Sequence, residues 1–112
     1  MDQPRRINPI SDCPLTAAQA AIGGRWKLII LYFLAQEPVH FAGLSRRLSS
    51  VSAKVLAEQL KELVADGLVD RTETGPAPAP VVYSLTDYGR SAIPLVDALR
   101  HFGRGHIERF GG

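Results

Sequence analysis

The segment that most constrains this sequence is the run from Trp26 to Ala35, WKLIILYFLA, which is apolar on nearly every side. A helix that is apolar all round is stable only when other elements cover it from several directions. The run is also much shorter than the ~20 apolar residues that span a bilayer. It therefore predicts a buried core helix in a small globular domain, and the hydrophobic content of 46% agrees with a packed core.

Further helices are predicted on both sides of this run. Pro14 suits the first turn of a short helix that ends at Gly23-Gly24. After the core helix, Phe41, Leu44 and Leu48 recur at helical spacing. Two short helices therefore flank the core helix in sequence.

The clearest amphipathic pattern runs from Ser52 to Asp66. Ser52 is a favourable N-cap residue, and Gly67 ends the helix. Its apolar stripe follows the spacing i, i+4, i+7 and i+8 at Leu56, Leu60, Leu63 and Val64.

A β-hairpin is predicted next, because two β-prone runs flank a segment that cannot be helical. The runs are Leu68 to Glu73 and Val81 to Leu85, and Thr74 to Pro80 (TGPAPAP) forms the loop between them. A last helix starts after Thr86, with Pro94 inside it as an expected kink. Its apolar seam consists of Ala92, Leu95, Val96, Leu99 and Phe102.

Two short helices followed by a hairpin predict a mostly helical α+β fold, a winged helix-turn-helix with a two-stranded wing. Helices at both ends of the domain are predicted to form a dimer. Residues 1–12 are expected to be a flexible N-terminal arm, and residues 13–110 to form the domain.

In this fold one helix enters the major groove of DNA and the preceding helix braces it. The stripe on the helix from Ser52 to Asp66 leaves small residues and one cation facing outward at its N-terminal end: Ser52, Ala53, Lys54 and Ala57. Gln59 lies at the margin of this face. An ordinary solvated amphipathic helix explains the same periodicity, so the pattern alone leaves both interpretations open.

Several short stretches occur in the order and spacing of the HxlR family, a MarR-like group. They are Cys13-Pro14, Ile22 to Lys27 (IGGRWK), Phe41 to Leu48, Val51 to Leu56 (VSAKVL), Leu60 to Leu63 (LKEL), Asp66 to Arg71 (DGLVDR) and Tyr83 to Thr86 followed by Gly89. The sequence resembles this family from about Cys13 to His106. The resemblance implies a regulator that binds double-stranded DNA as a homodimer joined through its first and last helices.

The resemblance also implies which residues contact DNA. In the recognition helix they are Ser52, Ala53, Lys54, Ala57 and Gln59; outside it they are Arg46, Arg47, Lys27 and Arg71. For each cation the alternative is a solvated surface charge. The family places a basic residue in the wing before the second strand, whereas this chain has no charge between Thr74 and Tyr83. This argues against DNA contacts by the tip of the wing.

Cys13, the only cysteine, immediately precedes the proline that opens a helix. The N–H groups and dipole at a helix N-terminus favour a thiolate. In some members of the HxlR family a cysteine at this place senses electrophiles or oxidants. The alternative is that Cys13 packs as a small apolar residue against the dimer helices.

Other function classes find little support in the sequence. His40, His101 and His106 lack metal-ligand spacing, and no phosphate loop or catalytic pair is present, so we expect no metal, no cofactor and no enzymatic activity. The single cysteine and the lack of a signal or membrane segment favour a cytoplasmic location. The main alternative to DNA binding is a winged helix that binds only protein, which the net charge of +2 and the uncharged wing favour.

Overall fold

The computed structural model describes residues 13–76 and 80–111, so the predicted arm at residues 1–12 and the wing residues 77–79 lie outside the described residues. The helices are α1 (Pro14–Ile22), α2 (Lys27–Gln36), α3 (Phe41–Arg47), α4 (Ala53–Ala65), α5 (Asp87–Arg90) and α6 (Ile93–His106). The strands are β1 (Val39–His40), β2 (Val69–Glu73) and β3 (Val81–Leu85). A five-residue π-helical turn, Ile107–Gly111, continues α6. Within these described ranges, no helix is long and apolar enough to cross a membrane.

Helix α2 lies at the centre of the core, as its apolar sequence predicts. It contacts α4, α6 and β3, and Ile30, Leu31 and Leu34 are buried on it. Burial of each such side chain stabilises the fold by about 1.5–3 kcal/mol. The other elements are therefore arranged around α2.

The ends of α4 are fixed by local hydrogen bonds. Ser52 caps its N-terminus, because the Ser52 Oγ accepts a hydrogen bond of 3.1 Å from the Val55 N–H. At the C-terminus, Gly67 has a φ of +81°, which glycine adopts without steric cost. The N–H groups of Gly67 and Leu68 donate to the carbonyls of Val64 and Leu63, both at 3.0 Å, which is a Schellman motif. The chain therefore turns sharply from α4 into the wing.

The sheet has three antiparallel strands in the order β1-β3-β2. The predicted two-stranded wing is confirmed as β2 and β3, and β1 is a third strand that was not predicted. Val39 and His40 of β1 pair with Tyr83 and Val82 of β3. Two residues are too few to show the alternation by which a strand is recognised. The strand forms because β3 offers a free edge and Val39 is buried there.

The prediction of one kinked helix after Thr86 is wrong. Thr86 caps the short α5, its Oγ1 accepting from the Gly89 N–H at 2.8 Å, and α5 ends at Arg90. Helix α6 then begins at Ile93, so Pro94 lies in its first turn. A proline is favourable there, because its missing N–H has no partner within the helix in any case.

The helices at the two ends of the described chain leave large apolar side chains exposed. On α6 only Val96 is buried. Four large apolar side chains of α1 and α6 are exposed: Leu15, Leu95, Leu99 and Phe102.

Candidate nucleic-acid interface

The connection between α3 and α4 is short and anchored in the core. Leu44, Leu48 and Val51 are buried, and the Val51 N–H donates to the Leu48 carbonyl at 3.0 Å. This packing fixes the angle between the two helices. The arrangement is a helix-turn-helix in which α4 takes the place of the recognition helix.

The N-terminal part of α4 presents small side chains and one cation to solvent. Ser52, Ala53, Lys54 and Ala57 are exposed, and Gln59 is half-buried at the margin. Because the Ser52 Oγ accepts the capping hydrogen bond, its hydroxyl proton still has a free direction in which to donate. The face is thus flat enough, and polar enough, to approach the edges of bases.

The two arginines at the end of α3 are both exposed but have different surroundings. Arg47 Nη2 lies 3.3 Å from Glu37 Oε2, and the guanidinium lies 5.8 Å from the centre of the Phe33 ring. Arg46 makes no ion pair within the part of the chain that the structure describes. Arg46 is therefore the more available cation beside α4.

Lys27 departs from the expectation of a DNA contact. It is the first residue of α2, only 4% of it is exposed, and its Nζ lies 2.6 Å from Glu62 Oε1 on α4. A buried ammonium that is already paired cannot reach a DNA phosphate from this position. This part of the prediction is corrected: Lys27 joins α2 to α4 within the protein.

The wing carries its basic residue near its base. Arg71 on β2 is half-exposed, and its Nη1 lies 3.5 Å from Glu73 Oε2. Thr74 begins the loop, and both its N–H and its Oγ1 bond to the Pro80 carbonyl, at 3.1 and 3.0 Å. Among the predicted site residues, Arg71 is the only one that lies on the wing strands.

A cleft that sequence analysis did not identify lies between α4 and the wing. Its volume is about 250 Å³, and it is lined by Ala57, Lys61, Val64, Arg71 and Tyr83. The cleft depends on how the strands pair and on how α4 packs against them. Neither is evident from the separate motifs.

Cys13 is exposed immediately before α1. The backbone N–H groups of Thr16 and Leu15, and then the Thr16 hydroxyl, hold the pKa of the Cys13 thiol below its ordinary value. The sulfur makes no capping hydrogen bond of regular geometry, so the effect is that of nearby dipoles on a solvated thiol. An exposed thiol with a lowered pKa has more of the nucleophilic thiolate at neutral pH.

Two of the three histidines, His101 and His106, are on α6. His40 is on β1, while His106 on α6 stacks at 6.3 Å on Phe102 and lies 4.9 Å from the Phe110 ring. Over residues 13–76 and 80–111, no group of three or more His, Cys, Asp or Glu side chains is placed to hold a metal ion.

Comparison with known protein families and sequences gives one consistent result. A family model described as HxlR-like helix-turn-helix matches residues 21–110. The HTH-type transcriptional regulator BH0655 of Halalkalibacterium halodurans is 40% identical over 99 residues, which cover 88% of this chain and 88% of that protein.

Solved structures agree with this comparison. The HTH-type transcriptional regulator YtcD superposes with a TM-score of 0.81 at 36% identity, covering 85% of this chain and 97% of that one. YtcD is a Bacillus subtilis protein. The redox regulator HypR in its reduced form superposes with a TM-score of 0.79 at 35% identity, covering 82% of this chain and 91% of that one.

Proposed function

The chain belongs to the HxlR-like helix-turn-helix family of transcriptional regulators, and from that premise we propose that it binds a palindromic DNA operator as a homodimer. The observation that carries the proposal is the exposed N-terminal face of α4. There Ser52, Ala53, Lys54 and Ala57 leave room for close approach to base edges and offer a hydroxyl and an ammonium as donors.

In this proposal the remaining contacts hold the recognition helix in place. Gln59 reaches the margin of the groove, and Arg46, Arg47 and Arg71 contact the phosphate backbone on either side. Lys27 supports the recognition helix through its ion pair with Glu62 and does not contact DNA. The regulator needs no cofactor and catalyses no reaction, and it works in the cytoplasm, where it meets the chromosome.

The dimer is proposed to form through the exposed apolar residues of α1 and α6. Two-fold symmetry would place the two copies of α4 about one turn of DNA apart, ~10 base pairs, or a small multiple of it. A palindromic site follows from the symmetry of the protein.

Selection of bound sequences from a random DNA pool tests this proposal. We expect enrichment of an inverted repeat, and binding of that duplex should weaken steeply with salt because phosphate contacts release counterions. Failure to enrich any sequence, together with salt-insensitive binding, would contradict it. That result would favour the alternative, a winged helix that binds only protein.

We also propose that Cys13 makes the regulator responsive to thiol-reactive or oxidising compounds. Its exposure and lowered pKa support this role, and it lies two residues before the exposed Leu15 of α1. Structural neighbours include HypR, a redox regulator described in reduced and oxidised forms, and a diamide-treated form of YodB from B. subtilis. Oxidation would join Cys13 to a small thiol or to Cys13 of the second copy.

The experiment compares operator binding by wild type and Cys13→Ser before and after treatment with diamide. The wild type should lose or gain affinity on treatment, and Cys13→Ser should not respond. Unchanged wild-type affinity after mass spectrometry has confirmed the thiol modification would contradict this role.

A further inference from the structure

The cleft between α4 and the wing combines two cations on opposite walls. The register of the hairpin sets Arg71 of β2 directly opposite Tyr83 of β3. Residues that are opposite in an antiparallel pair project from the same face of the sheet. Since Tyr83 is buried and lines the cleft, Arg71 projects toward α4 along the same side.

Helix α4 supplies the other wall. Ala57 and Lys61 are four residues apart, so they lie one above the other on the helix surface. Both are exposed, and the short Ala57 side chain keeps the cleft open beside the Lys61 ammonium. The lysine from the helix and the arginine from the strand therefore converge on one small volume.

The electrostatics of the cleft favour an anion. None of its five lining residues is acidic. Glu73 is the carboxylate nearest to Arg71, but it is paired with it at 3.5 Å and both side chains are about half-exposed. Such surface pairs contribute little free energy, so a stronger anion can displace the carboxylate.

We propose that this cleft binds one phosphate of the DNA backbone between Lys61 and Arg71. The inference rests on the proposed DNA binding and deepens it, since it adds Lys61 to the contacts and gives Arg71 a defined partner. An arginine holds a phosphate in a directional fork and a lysine adds a point charge. A cleft of about 250 Å³ has room for a single phosphate group. The contact fixes the depth and register of α4 in the groove but reads no base.

The test measures the salt dependence of DNA affinity for wild type, Lys61→Met, Arg71→Met and the double variant. Each is titrated between 50 and 200 mM salt with the duplex selected by the wild type and with a scrambled duplex of equal length. The control is Arg90→Met, which removes an exposed cation of α5. Both substituted side chains in the cleft are exposed, so the variants should keep the wild-type melting temperature.

We expect the double variant to lose about 0.9 from the slope of log K against log salt, the value of one phosphate contact. Over this fourfold range of salt, wild-type affinity should then fall about three- to fourfold more than that of the double variant. The slope should change equally on both duplexes. The slope losses of the two single variants should together not exceed the value of one phosphate contact, about 0.9. Arg90→Met should keep the wild-type slope.

Three results would overturn the inference while leaving DNA binding intact: an unchanged slope in the double variant, a loss of about 1.8 that indicates two separate phosphates, or a loss confined to the selected duplex. Absence of salt-dependent binding by the wild type itself would instead overturn the proposed function, and the inference with it.

Discussion

Lys27 and Lys54 carry the same charge in the first turns of two neighbouring helices, but their surroundings differ. Lys27 is 4% exposed and paired with Glu62, whereas Lys54 is exposed on the recognition helix. From the sequence both fit the pattern of a DNA contact. The difference arises from how α2 packs against α4, which no local pattern encodes.

Lys54→Ala should weaken binding to the selected operator by about 1–3 kcal/mol, because a lost base contact carries that cost. The loss on a scrambled duplex should be smaller. Lys61→Ala, four residues after Ala57 on the same helix, should reduce binding to both duplexes alike, as a phosphate contact does. Titrations of both variants on both duplexes check this, and equal losses for Lys54→Ala on the two duplexes would contradict the base-reading role.

The ion pair between Lys27 and Glu62 predicts an asymmetry in stability. The Lys27 side chain is 5% exposed and that of Glu62 is 41% exposed. Removing the carboxylate leaves a buried ammonium that water cannot hydrate, whereas removing the ammonium leaves a carboxylate that water can reach. Glu62→Gln should therefore destabilise the fold more than Lys27→Met, but by less than the ~3–5 kcal/mol of a fully buried pair, because Glu62 is partly hydrated. Urea unfolding of the two variants measures the order, and the reverse order would show that the pair is effectively solvated.

Among the elements, those with a long repeat were predicted well, and those defined by their neighbours were not. Helix α4 shows three turns of apolar spacing and a capping serine, and both proved sufficient to place it. Strand β1 has two residues, and it becomes a strand only by pairing with β3. The break between α5 and α6 falls at Ser91 and Ala92, and Pro94 just after it fits the first turn of a new helix as well as a kink within one helix.

The same distinction holds for the candidate site. The exposed face of α4 follows from the positions of its buried leucines, so the sequence was enough to predict which residues are accessible. The cleft between Lys61 and Arg71 requires the register of β2 and β3 and the docking of α4 beside them. Lys61 and Arg71 are on different elements, and the sequence pattern alone does not give the relative placement of those elements, which only the folded structure fixes.

The junction of α5 with the start of the wing depends on a close backbone approach at Gly89. A Cβ added to Gly89 would overlap the Leu68 carbonyl oxygen, to which the Thr86 N–H also donates at 3.2 Å. Gly89→Ala should therefore destabilise the protein by about 1–3 kcal/mol, the cost of forcing atoms into a packed site. Gly75→Ala is the matched control, because a Cβ there meets nothing within 4 Å. Urea midpoints that fall equally, or not at all, in the two variants would show that the junction adjusts without cost.

At the scale of the whole molecule, exposed apolar side chains are concentrated toward the helices at the two ends of the described chain. Leu15 on α1 is 77% exposed and Phe102 on α6 is 71% exposed, while Leu95 and Leu99 are about 40% exposed on the same face of α6. Several large apolar side chains exposed together on one helix face indicate an interaction site. In the proposed dimer a second copy of the chain would cover these side chains at both helices, and the two-fold would give α4 a partner helix for the second half of an operator.

Phe102→Asp should abolish the proposed dimer, because it places a charge among the exposed apolar side chains of α6 and removes one that is 71% exposed in the protomer. The fold of the protomer should persist, since the core around α2 does not include Phe102. Tyr88→Asp is the control: it alters an aromatic residue of α5 that is 62% exposed and lies outside α1 and α6. Light scattering at micromolar concentration should give a dimer for wild type and Tyr88→Asp and a monomer for Phe102→Asp. The monomer should bind a half-site and the full operator with similar affinity, because it has lost the second recognition helix. A wild type that is monomeric under these conditions, or a Phe102→Asp variant that stays dimeric, would show that the two helices are not the interface.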